Sequence, residues 1–272
     1  VDDHWVDLVP GTPRLDGGAI FTVESRDGTN RLVVDGVAVS SDGLQVRSVA
    51  GIAGDGAVVV LASGDPLDVE VVRISRDGAT EVVAGGEGVH SVAVGGGVVV
   101  VSTATLEGSS MVVLPGGHVI ASHAEEPVVR PQPTFHVVGD RSLRAAVLVP
   151  DRHDGSRLPV LLDPYGGPHG QRVQRARGQF LTSQWFADQG FAVVVADGRG
   201  TPGRGPAWER AVGGDLAAPT LDDQVDALHG LAALDDRLDL DRVAIRGWSF
   251  GGYLAALAVL RRPDVFHAAI AG

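Results

Sequence analysis

Two periodicities divide this chain. Before residue ~125, apolar residues fall in short runs bounded by Gly, Asp and Ser, and the runs recur. GAIFTVES (Gly18–Ser25), GAVVVLAS (Gly56–Ser63) and GVVVVSTA (Gly97–Ala104) align at spacings of 38 and 41 residues. A second run follows each one, at Arg31–Asp35, Val69–Ser75 and Ser110–Pro115, and turn residues come next at Ser41–Gly43, Ser75–Gly78 and Pro115–Gly117. Ser48–Gly54 and Ser91–Gly96 match one another as leading strands. Four short strands every ~40 residues predict propeller blades. A stack of hairpins in a β-sandwich is the alternative. Three such units fit before residue ~125, whereas a closed ring needs ~4–8 blades, so further blades are expected upstream of Val1.

From residue ~130 the period lengthens. Phe135–Val138 and Leu143–Val149 read as a hairpin across Gly139 and Asp140, and Leu158–Asp163 as a strand. A helix is predicted over Phe180–Gln189 and an apolar strand over Phe191–Ala196. Thr220 reads as the N-cap of a helix with Asp222 and Asp223 in its first turn and Leu221, Val225, Leu228 and Leu231 on its buried face. Phe266–Ala271 begins one more strand. Alternating strands and helices predict a parallel sheet covered on both faces, with ligands at the C-terminal ends of its strands. Tyr165, Asp197 and Ser249 all fall at such ends. Glu125–Pro133 is polar and proline-rich, the composition of a linker. The expected organisation is therefore a partial β-propeller of about three blades over residues 1–128 and an α/β-hydrolase domain over 129–272. The paired Glu125 and Glu126 are read as solvated charge beside the linker rather than as a ligand anchor.

The stretch Asp241–Arg262 carries the chemistry. Val243–Ile245 has the apolar run of a buried strand, and Leu254, Leu257, Ala258 and Leu260 recur at helical spacing until Pro263. Between them lies Gly247-Trp248-Ser249-Phe250-Gly251, a G-x-S-x-G. A serine hydroxyl is a weak nucleophile and must be held exposed, near a base and near backbone donors. A tight strand-to-helix turn does this, with glycines two before and two after the serine relieving the crowding. The N–H of Phe250 would then face a developing oxyanion at the positive end of the helix. The bland alternative is a glycine-rich turn whose serine caps the helix.

Tyr165, in the glycine-rich loop after a strand, is a candidate second oxyanion donor, with packing against the linker as the alternative. Trp248 and Tyr253, which flank the serine, are candidate substrate-binding residues. The loop Asp197–Gly200 lacks the G-x-x-x-x-G-K-[ST] pattern of a phosphate cradle and is expected to be structural, with Asp197 and Arg199 in ion pairs. His90, His118, His123 and His136 are scattered without metal-ligand spacing, so no metal is expected. In the second half, His169 follows the Tyr165 loop, while His136, His153, His229 and His267 sit away from the predicted site.

Composition narrows the classes. The chain has 272 residues, 44% of them hydrophobic, a formal net charge of −12 and no cysteine. The charge argues against nucleic acid or an anionic membrane as partner, and the absent thiols exclude disulfides, thiolate catalysis and cysteine-based zinc sites. No run approaches the ~18 apolar residues of a membrane span, and no signal peptide is visible, so a cytoplasmic location is the expectation. No cofactor is expected.

Taken together, Asp163–Pro168 (DPYGGP), Asp197–Gly200 (DGRG), Leu221–Gln224 (LDDQ) and Gly247–Tyr253 (GWSFGGY) resemble the prolyl oligopeptidase family of serine peptidases, most closely its dipeptidyl peptidase IV branch. Their order and spacing fit over residues ~130–272, and the repeats before them suit the family's propeller. Trp248 favours that branch; Phe250 replaces the branch's usual tyrosine, which leaves the backbone N–H intact. The resemblance implies Ser249 as nucleophile, Tyr165 as oxyanion donor, and short peptides as substrates, often cleaved after proline or alanine; a homodimer is compatible with it. It also implies an acid and a histidine after the serine. These, with the last strands of the sheet, are expected beyond Gly272, and the 272-residue chain alone is expected to be inactive. An acylaminoacyl-peptidase or esterase on the same scaffold, or a non-catalytic binding protein, are the competing readings.

Overall fold

The computed structural model describes residues 9–272. The chain forms two compact units. The first runs to Glu125 and takes in Gln174–Ala176 and Gly203–Ala207; the second comprises Glu126–Val173, Arg177–Pro202 and Trp208–Gly272.

Among the described residues the first unit holds three four-stranded antiparallel sheets, each a meander. The first is β1 (Arg14–Asp16), β2 (Ala19–Arg26), β3 (Thr29–Val34) and β4 (Val37–Ala38). The second is β5 (Gln45–Ile52), β6 (Val58–Ser63), β7 (Glu70–Ile74) and β8 (Thr80–Ala84), and the third is β9 (Val89–Gly95), β10 (Val98–Ala104), β11 (Ser109–Leu114) and β12 (His118–Val119). The three aligned runs are β2, β6 and β10, so the sequence repeat is the blade repeat. Alternation along a strand sends every second side chain inward: Ala19 and Phe21 are buried on β2 while Ile20 between them is exposed. Phe21, Leu32, Val46, Val60, Val72 and Ile74 form one core cluster, and Val59, Val71 and Val101 a second.

One turn lies elsewhere than expected. Asp35 and Gly36, both at positive φ (48° and 83°), close the hairpin between β3 and β4. Ser41–Gly43 lies after β4, on the way to β5. The alternating pattern ends at Val34, and a two-residue loop with both residues at positive φ suits the strand twist.

The second unit is built on a six-stranded sheet in the order β13-β14-β16-β15-β17-β18. Its strands are β13 (Thr134–Val138), β14 (Leu143–Leu148), β15 (Leu158–Leu162), β16 (Ala192–Asp197), β17 (Leu238–Gly247) and β18 (Ala268–Ala271). The sheet is mixed rather than wholly parallel. β15, β16, β17 and β18 pair in parallel, whereas β14 is antiparallel to both β13 and β16. The short Gly139 turn reverses the chain, and a parallel partner would require a crossover. The helices are α1 (Leu181–Ala187), α2 (Pro206–Arg210), α3 (Ala218–Ala232) and α4 (Phe250–Arg261). Leu221, Leu228 and Leu231 of α3 and Leu254, Ala255 and Ala258 of α4 share a core with Val160, Leu162, Val194 and Ile245.

Thr220 does not cap α3. Its hydroxyl donates to the Leu216 carbonyl at 2.7 Å, one turn back. Asp215 accepts instead from the N–H groups of Ala217 and Ala218 at 2.8 and 3.1 Å. A proline in the first two helical positions sets the earlier start, as its fixed φ favours. No helix among the described residues is long and apolar enough to cross a membrane.

Candidate active site

The G-x-S-x-G forms a sharp turn between β17 and α4. Ser249 adopts φ 56° and ψ −121°, where L-residues are strained. That conformation turns the chain abruptly from strand to helix and leaves Ser249 exposed. A Cβ on Gly247 would lie 2.0 Å from the Gly251 carbonyl oxygen, and one on Gly251 would lie 2.6 Å from that of Pro164. Both glycines are therefore required by close backbone approach. The turn is also pinned from β18: Ser249 N–H donates to the Gly272 carbonyl at 2.9 Å, and Gly272 N–H to the Gly247 carbonyl at 3.0 Å. Phe250 is the first residue of α4, so its N–H belongs to the turn whose donors lack intrahelical acceptors.

The loop after β15 packs against this turn through the Pro164–Gly251 contact and through aromatic rings. Tyr165 and Phe250 have ring centroids 6.2 Å apart, and Phe250 and Tyr253 5.4 Å. Tyr165 is half-buried, and its hydroxyl makes no hydrogen bond among the described residues. Trp248 is 76% and Tyr253 46% exposed. Tyr165, Phe250 and Tyr253 thus form one run of ring contacts at the head of α4, with Trp248 exposed on the other side of Ser249 in sequence.

Three buried aspartates brace the loops. Asp163 accepts from Arg246 Nη1 at 2.8 Å, Arg172 Nη2 at 3.2 Å and Ser183 Oγ at 2.7 Å. This ties the Tyr165 loop to the strand that leads into Ser249. Asp197 accepts backbone N–H groups from Arg172 (3.0 Å) and Val173 (2.7 Å), so its carboxylate organises the chain after Tyr165. Asp223 accepts from the backbone and guanidinium of Arg199 and from Arg141 Nε at 2.8 Å. Hydrogen bonding to Asp223 holds the Arg199 pKa above its ordinary value. The expected ion pair of Arg199 is present, and Asp197 is held by backbone amides. Sequence reasoning missed Arg172 and Arg246, because they reach Asp163 from separate elements.

Among the described residues Ser249 has no hydrogen bond from its hydroxyl to a histidine. His267 Nδ1 accepts from Val243 N–H at 3.1 Å, and His229 lies exposed on α3. His169 is exposed in the Tyr165 loop at φ 63°, and His153 lies beside Asp154. Glu126 pairs with Arg177 at 2.7 Å. No cluster of His, Asp or Glu among the described residues is arranged to hold a metal ion.

Residues 178–272 match the model of the prolyl oligopeptidase family. Dipeptidyl peptidase 8 of Homo sapiens is 43% identical over 124 residues, 45% of this chain and 14% of that protein. Prolyl endopeptidase FAP of Bos taurus is 32% identical over 135 residues, 49% of this chain and 18% of that protein. The crystal structure of Porphyromonas gingivalis dipeptidyl peptidase 4 superposes with a TM-score of 0.81 at 24% identity, covering 94% of this chain and 39% of that one. That likeness extends the shared fold across both units, the blades and the mixed sheet. The match to the curated relatives spans less than a fifth of their length.

Proposed function

This chain belongs to the prolyl oligopeptidase family of serine peptidases, in the branch that includes the dipeptidyl peptidases, and from that premise we propose that its protein cleaves short peptides through an acyl-enzyme on Ser249. The observation that carries the proposal is the strained, exposed Ser249 at the head of α4. Ser249 Oγ attacks the scissile carbonyl and gives its proton to a general base. The oxyanion that forms is stabilised by the Tyr165 hydroxyl and the Phe250 N–H. Collapse expels the amine, which takes a proton, and leaves an ester on Ser249 that water hydrolyses. None of the described histidines bonds Ser249, so the proposal assigns the general base to no residue among 9–272. Trp248 and Tyr253 would flank the bound peptide. The names of the relatives suggest release of dipeptides and cleavage at proline.

The test uses the whole protein and its Ser249→Ala variant. A fluorophosphonate probe should label the former and not the latter, and prolyl dipeptide substrates should be turned over ahead of acyl-amino-acid and simple ester substrates. Equal labelling of both proteins would overturn the assignment of Ser249. Preference for the acyl-amino-acid or ester substrates would overturn the substrate class alone.

A further inference from the structure

The Asp163 cluster holds more positive charge than its structural task requires. One carboxylate, 3% exposed, is shared by two guanidiniums, Arg172 and Arg246. Two guanidiniums thus face one carboxylate, a formal excess of one positive charge, inside a chain whose formal net charge is −12. The donors are not used up. Arg246 gives only Nη1 to Asp163, and its guanidinium carbon lies 4.7 Å over the Phe186 ring, which fixes the plane of the fork. Arg172 Nη2 serves Asp163, the Gln179 carbonyl and Ser183. Arg246 Nε and Nη2, and Arg172 Nη1, have no acceptor among the described residues. Both side chains keep about a fifth of their surface open, 22% for Arg172 and 23% for Arg246.

Arg172 and Arg246 line a cleft of about 280 Å³, whose walls include Tyr165, Gln179, Thr182 and Trp248. Asp163 is its sole acidic lining residue, and that carboxylate is already committed. The cleft reaches Trp248, next to Ser249 in sequence, and Tyr165 across from it. Guanidinium forks with free N–H groups in a partly desolvated cleft suit a carboxylate above other groups, because both oxygens can be met.

We propose that this cleft is an anion subsite that receives a carboxylate of a peptide bound at Ser249, either its C-terminal carboxylate or an acidic side chain. The identity of the ligand as a peptide rests on the peptidase reading; the preference for an anion rests on the two arginines. Arg246 is the specificity-determining residue, because it stands on the strand leading to the serine and has the freer fork.

The experiment uses ¹⁵N-labelled whole protein carrying Ser249→Ala, which prevents turnover, and follows the arginine Nε–H resonances. The probes are the tripeptide Ala-Pro-Ala as free acid, the same peptide as its C-terminal amide, and Ala-Pro-Glu as its C-terminal amide. The Arg246 and Arg172 resonances should shift saturably with a carboxylate-bearing peptide and not with the neutral amide. Which of the two acids acts at lower concentration identifies the source of the carboxylate. Arg246→Gln should weaken the acid's binding by about tenfold, the loss of one charge-assisted contact. Equal shifts with acid and amide, or no shift with any of the three, would overturn the subsite. The unmutated arginines decide this even if Arg246→Gln does not fold. Fluorophosphonate labelling of the unmodified protein reports separately on the peptidase reading, so either can fail alone.

Discussion

A Cβ on Gly247 would stand 2.0 Å from the carbonyl oxygen of Gly251, so β17 and α4 meet where no side chain fits. The obstacle is backbone in a hydrogen-bonded helix turn, not the end of a flexible side chain. Gly247→Ala must therefore displace the turn that carries Ser249. The expected cost is about 1–3 kcal/mol, the range for overpacking a tight site, together with loss of fluorophosphonate labelling. A variant with unchanged melting temperature and unchanged labelling would show that the turn has slack that this contact denies.

Ser249 itself is strained. At φ 56° and ψ −121° it occupies a region that only glycine enters freely. Ser249→Gly and Ser249→Ala both remove the hydroxyl, but only the first relieves the backbone. Ser249→Gly should be the more stable of the two by about 1 kcal/mol, measured by denaturant unfolding. If the alanine variant is equally stable, the turn stores no strain at this residue.

The fold was legible where a pattern is local. Each blade strand carries its own alternation, so β2, β6 and β10 announced themselves through their common run. The serine turn was legible for the same reason: strand, glycines and helix are contiguous. What stayed hidden was assembled from distance. Asp163 meets Arg172 nine residues on and Arg246 eighty-three residues on, and no spacing rule links them. Thr220 misled because Ser, Thr and Asp before an apolar run all read as caps; Asp215 won because the adjacent proline moved the helix start. At Asp35 and Gly36 the strand pattern overran the true turn, since Ser41–Gly43 is an equally good turn sequence.

Tyr165→Phe separates an oxyanion donor from a packing residue. The ring contact with Phe250 is retained by phenylalanine, whereas the hydroxyl is lost. In the whole protein kcat should fall ~10²–10³-fold with little change in KM, because such a donor acts mainly in the transition state. An unchanged kcat would reduce Tyr165 to a packing role.

Asp223 is fully buried and serves two arginines and one backbone N–H. Removing it leaves Arg199 and Arg141 without that acceptor, but both are partly exposed, at 23% and 36%, and water can compensate in part. Asp223→Ala should therefore cost about 2–3 kcal/mol, below the range for a fully buried pair. Asp223→Asn should recover part of it by still accepting the Arg199 N–H. Equal losses for the two variants would mean that charge, not hydrogen bonding, holds the Asp197–Gly200 loop.

His90 should give the first unit a pH dependence whose sign follows from its burial. It is 5% exposed on β9, with Nδ1 2.9 Å from Thr103 Oγ1 and Nε2 buried without a partner. Burial lowers its pKa, and the nearby charges of Glu70 and Asp68 oppose this without reversing it. The unfolded chain takes up the proton near the ordinary histidine value of about 6.5, whereas the folded chain resists until a lower pH. Above pH ~6.5 both states are neutral here and stability is at its full value. As the pH falls from there through the folded pKa, the unfolded state binds more protons and stability is lost. The measurement is urea unfolding of the wild type and of His90→Gln at intervals between pH 7.5 and 5. Carboxylates titrate in both proteins, so the difference between the two curves isolates His90. That difference should change through the window, the wild type losing more stability on acidification than the variant. Parallel curves would mean that the buried imidazole finds a proton acceptor when charged and that its burial does not penalise protonation.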